Sequence, residues 1–73
     1  MRKGKRVYVR WLDISADLHT EEQCNPIEAE CMGWVVRDTK KVLELAYCRY
    51  VKGCELADKI AIPRGCVIAI EEV

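Results

Sequence analysis

The 73-residue chain contains no phenylalanine, two prolines, four glycines and one histidine. Each shortage removes a class of protein. So little proline and glycine excludes collagen-like and linker-like chains, and no low-complexity tract or repeat appears. No apolar run approaches the roughly 20 residues that a membrane helix needs. A single histidine leaves acid–base chemistry to carboxylates, and none is paired in a recognisable pattern. The four glycines are scattered, so there is no glycine-rich phosphate loop. No C-x-x-C occurs among the five cysteines. Structural zinc sites draw their ligands in close pairs, so Cys24, Cys31, Cys48, Cys54 and Cys66 with His19 do not read as a metal set. No local signature makes a cysteine–histidine nucleophilic pair either. We expect no enzyme, no metal and no cofactor.

What is present is a compact, charged and apolar composition, 51% hydrophobic and 33% charged. That fits one globular domain near the lower size limit for an independent core, where partners often supply the missing stability. The odd cysteine count fits a reducing compartment. "MRKGKR" is basic, but Arg10 and Asp13 interrupt the apolar residues that follow, so we expect no signal peptide and a cytoplasmic location.

Twelve basic and twelve acidic residues cancel, yet they are segregated. Residues 1–10 carry +5, residues 11–31 carry −6 and the remainder +1. Residues 1–6 read as a basic arm, with Arg2, Lys3, Lys5 and Arg6, before one domain over residues 7–73. Such an arm suits nucleic acid or a positive-to-negative contact between subunits; it also suits a solubilising tail with screened charges.

"VYVRWLD" alternates Val7, Val9 and Trp11 with Tyr8, Arg10 and Leu12, the period of a strand. Thr20 and Gln23 have capping-box spacing, and Glu21 and Glu22 suit a first helical turn, so a short helix is expected over 20–25, before Pro26. Asn25-Pro26-Ile27-Glu28 could instead open a helix over 26–32; we prefer a strand over 29–37. "CMGWVVRDTKKVLELAYCRYV" reads as a hairpin about "DTKK". Its second strand is apolar on both faces, with Leu43, Leu45 and Tyr47 on one and Val42, Ala46 and Cys48 on the other. Residues 52–58 read as a loop. "KIAIPRGCVIAIEEV" then reads as two strands split at Pro63, because proline cannot donate to a ladder and must sit at a corner. Five short strands and one short helix suggest a small SH3-like or Sm-like barrel, mainly β, with the helix after the first strand.

"IPRGCVIAI" resembles the second motif of Sm and Sm-like proteins, through Arg64, Gly65, Val67 and Ile70. Gly33, Asp38 and Leu45 look like the first Sm motif; together the two cover about half of the chain. The family places an asparagine four residues after the aspartate, where it helps bind a base, and this chain has Val42 there. The family's helix also precedes its barrel, whereas here it would follow the first strand. The resemblance implies an RNA site at Arg64 and Gly65. Over nearly the whole chain there is a second resemblance, to small uncharacterised proteins of phages and other mobile elements. It rests on Trp11 and Asp13, on Pro26, on Cys31, Gly33 and Trp34, and on Ile62, Pro63 and Arg64. That group often has a second tryptophan where His19 stands here, and it implies no activity.

Two functions follow. The first is a non-enzymatic interaction or assembly module that forms homo-oligomers or docks on a protein partner. The alternative is an Sm-like or OB-like binder of RNA or single-stranded DNA. Its residues would be Arg64 and Gly65, the arm residues Arg2, Lys3, Lys5 and Arg6, and Tyr50 as a stacking aromatic between Arg49 and Lys52. Trp11 and Trp34 are base-stacking candidates or, in a chain without phenylalanine, core.

Overall fold

The computed structural model describes residues 1–13 and 26–73. The helix expected over 20–25, together with His19 and Cys24, lies outside the described residues. Five strands form one antiparallel sheet: β1 (Arg6–Asp13), β2 (Ile27–Asp38), β3 (Val42–Arg49), β4 (Leu56–Pro63) and β5 (Val67–Glu72). Their order is β4-β3-β2-β1-β5. The segment over 29–37 is therefore strand, as preferred. The region 52–58 is loop only in its first part, since β4 already begins at Leu56.

The sheet bends about its longest strand. β2 pairs with β1 from Ile27 to Trp34. It pairs with β3 from Trp34 to Asp38. Within β2, Trp34 alone has a ladder partner on both sides, Arg6 and Ala46. Val36 is the extra residue of a bulge in the β2–β3 ladder, which sharpens the local twist. Beside this junction, a Cβ on Gly33 would stand 2.5 Å from the Ala46 carbonyl oxygen. No side chain fits against backbone at that distance, so the bend requires glycine.

Alternation on either side of the bend sends one face inward. Val7, Val9, Val35, Leu43, Leu45 and Ile62 are fully buried. Trp11, Cys31, Ile60, Val67 and Ile70 pack around them. This is the period-2 pattern read from β1 and β3, continued by β4 and β5. The double-faced burial expected for β3 holds at Ala46, which is buried on the outer face, while Tyr47 is 46% exposed.

The sheet is not closed into a barrel, contrary to the sequence expectation. β4 pairs only with β3, and β5 pairs only with β1. The cause lies at the corner. Arg64–Cys66 form one 3-10 turn directly after Pro63, which has no N–H to give a ladder. The turn carries β5 away to the far side of β1. The two strands are neighbours in sequence and edges in space.

The first residues run beside β2. Gly4 N–H donates to the Val35 carbonyl and Val35 N–H to the Lys5 carbonyl, each at 2.7 Å. The Met1 amino group reaches Asp38 Oδ2 at 2.6 Å.

Gly33→Ala should destabilise the fold by about 1–3 kcal/mol, because the obstructing atom is backbone. Gly65→Ala, where an added Cβ meets nothing within 4 Å, should stay within about 0.5 kcal/mol of the parent. Urea unfolding of both variants checks this; equal costs would contradict it.

Candidate functional site

Six of the nine sequence-derived site residues fall into two groups at opposite ends of β3; of the other three, Arg2 is exposed, Lys5 lies near Glu72 and Arg6 lines a separate cleft. The first group lies at the β2–β3 turn. Thr39 closes this turn: its N–H donates to the Val42 carbonyl at 2.9 Å, and its Oγ1 accepts from the N–H groups of Lys41 and Val42. Arg64, at the start of the 3-10 turn, docks on it twice. Its backbone N–H donates to the Lys41 carbonyl at 2.9 Å. Its guanidinium forks onto Asp38, with Nε 3.1 Å from Oδ1 and an Nη donating to Oδ2 at 3.3 Å. The Asp38 side chain is only 9% exposed and that of Arg64 31%. Two of the residues that carry the Sm resemblance, one from each motif, thus meet each other and join two turns. Gly65 beside them is exposed.

The second group gathers at the β3–β4 hairpin. Tyr50 N–H donates to the Glu55 carbonyl at 2.9 Å, and Gly53 (φ +84°) and Cys54 (φ +55°) turn the chain in the left-handed region. Tyr50 and Lys52 are exposed on this hairpin. Arg49, the last residue of β3, lies over the Trp34 ring with its guanidinium carbon 5.4 Å from the centroid. Lys3, from the N-terminal segment, lines the same cleft as Arg49, together with Lys59, Cys54, Leu56, Gly4, Val36 and Glu55. The cleft has a volume of about 410 Å³.

A second cleft of about 390 Å³ has Trp34 in its wall, with Arg6, Met32, Gly33, Tyr47 and Val73. The ladder registers explain both clefts. Arg6, Trp34, Ala46 and Lys59 stand in one row across the outer face, so Trp34 is a half-buried outer-face residue with cations around it, not core. Trp11 by contrast packs on the core. Sequence reading assigned no role to Lys59. The register of β4 on β3 is what brings it there, and the parity of "VLELAYCR" against "LADKIAIP" is the signal that carries it.

Several other charges of the sheet are paired. Arg10 donates to Glu28, Arg37 pairs with Glu44 at 3.5 Å and Lys5 with Glu72 at 4.0 Å. Tyr8 Oη donates to Glu30 Oε2 at 2.6 Å. That hydrogen bond, more than any other influence, raises the Tyr8 phenol above its ordinary value. Partial burial does the same for Tyr47, helped by the Cys31 thiol. Both phenols therefore stay neutral at physiological pH.

Among the described residues no three His, Cys, Asp or Glu side chains stand together as metal ligands. Cys31, Cys48 and Cys66 are half-buried free thiols and Cys54 is exposed. No helix among the described residues is long and apolar enough to cross a membrane. No protein-family model, no curated protein and no solved structure matches this chain.

The Asp38–Arg64 fork should be an energetic link between the two turns. Asp38→Ala and Arg64→Ala should each cost about 1 kcal/mol, and the double variant less than their sum. Chemical denaturation of the four proteins measures the coupling; strict additivity would show that the fork contributes nothing.

Proposed function

We propose that the protein is a non-enzymatic β-sheet assembly module of a phage or other mobile element, acting in the cytoplasm. It forms homo-oligomers, or docks on a protein partner, by pairing along its open sheet edges. One observation carries this reading: a small sheet whose first and last strands, β4 and β5, each have a partner on one side only. An unpaired edge is a row of backbone donors and acceptors that another strand can satisfy.

The side chains of β5 support it more than those of β4. β4 carries Asp58, Lys59 and Pro63, the usual guards of a free edge, whereas β5 has no lysine or proline and only the acids Glu71 and Glu72 at its end. A bulge in its ladder with β1 leaves Ile68 without a partner residue and 51% exposed. At the start of the β3–β4 hairpin, Tyr50 is 53% and Val51 98% exposed. A chain this small gains core from a partner more readily than from itself. The five strands and the tight Pro63 corner fit the Sm-like or SH3-like resemblance, and the mobile-element resemblance fits a small module with no chemistry of its own. The alternative, an Sm-like or OB-like nucleic-acid binder working through Arg64 and Gly65, has less behind it, because the Arg64 guanidinium is already engaged by Asp38.

Light scattering on nuclease-treated protein should give a multiple of 8.4 kDa, and Ile68→Lys should shift it to the monomer. A wild-type monomer at tens of micromolar that also captures no partner strand would overturn the proposal.

A further inference from the structure

We infer that the cleft between the N-terminal segment and the β3–β4 hairpin binds a phosphate group, carried by a nucleotide or by a single-stranded nucleic acid. Three cations reach it from separate parts of the chain: Lys3 ahead of β1, Arg49 at the end of β3 and Lys59 in β4. Glu55 is the one acid in the lining, so the wall carries a formal excess of two positive charges.

Eight of the twelve lysines and arginines have no carboxylate partner among the described residues, and three of the eight share this one cleft. Lys5, Arg10, Arg37 and Arg64 each have a carboxylate partner. Among the described residues Lys3, Arg49 and Lys59 have none, although Glu55 shares their cleft. Unpaired cations around one concavity repel one another, and an anion relieves that repulsion.

Arg49 adds geometry to charge. Its cation–π contact with Trp34, 5.4 Å from the guanidinium carbon to the ring centroid, holds the side chain without using any of its N–H donors on a carboxylate. A planar fork held in this way suits the two oxygens of a phosphate. The volume, about 410 Å³, exceeds that of a bare phosphate and falls in the range of small-ligand sites. Beyond the cleft, exposed Tyr50 and Lys52 offer a stacking surface and a further charge to a longer strand. This site is distinct from the Arg64–Gly65 corner at the other end of β3.

The test uses the full chain with two probes, uridine 5′-monophosphate and a labelled decauridylate, with inorganic pyrophosphate as competitor. Variants are Lys59→Ala, Lys59→Arg, Arg49→Ala and, as a control in the opposite turn, Lys40→Ala. Binding should weaken about two- to fivefold in Lys59→Ala and in Arg49→Ala, recover in Lys59→Arg and be unchanged in Lys40→Ala. For the decauridylate, the slope of log affinity against log salt should fall by about 0.7 for each lost contact. Tight binding of the mononucleotide assigns the phosphate to a free nucleotide; binding of the decauridylate alone assigns it to a strand. Lys59 is exposed, so its variants report on binding even if Arg49→Ala loosens the Trp34 packing. Ile68→Lys, in β5 and outside this cleft, should leave uridine 5′-monophosphate binding unchanged, which separates this site from the assembly reading. Failure of both probes to bind, or wild-type affinity in both alanine variants, would overturn the inference.

Discussion

The structure depends on a close approach of two backbones beside Gly33. β2 belongs to two ladders at once, and it changes partners at Trp34. The change is possible because Gly33 lets the Ala46 carbonyl come where a side chain would otherwise stand. From this bend follow the inward face, where Val7, Val9, Val35, Leu43, Leu45 and Ile62 meet, and the outer row in which Arg6, Trp34 and Lys59 are aligned. Core and candidate site are two faces of one constraint.

A second constraint acts at the far end of β3. The Asp38–Arg64 fork and the Arg64–Lys41 backbone bond pin the 3-10 corner to the β2–β3 turn. With the corner fixed, β4 and β5 leave it in different directions, one to β3 and one to β1. The corner therefore opens the sheet and stabilises it at the same point. The charge of Arg64 is used inside the protein, which leaves the edges and the outer-face cations as the surfaces available to partners.

Much of this was legible in the residues. The alternation in "VYVRWLD" identified β1, and Pro63 marked the corner. Closure was not legible, because strand count and strand length are the same for a barrel and for an open bent sheet. Only the pairing of β4 and β5 distinguishes them, and pairing is non-local. The same holds for the cation cluster. Lys3 and Lys59 lie 56 positions apart in sequence, and no local signal joins them. Trp34 was ambiguous for a related reason, since an aromatic residue on the covered outer face of a bent strand has the same neighbours in sequence as one in the core.

Backbone amide exchange along β4 and β5, followed as a function of protein concentration, tests most directly the claim that this is an open sheet with edges made for pairing. Dilute protein should show fast exchange for the outward-facing amides of both strands and slow exchange in β1, β2 and β3. Raising the concentration should slow the edge amides and leave the central strands unchanged. Edge amides already protected in the dilute monomer would contradict this: the sheet would then close on itself and offer no free edge to a partner.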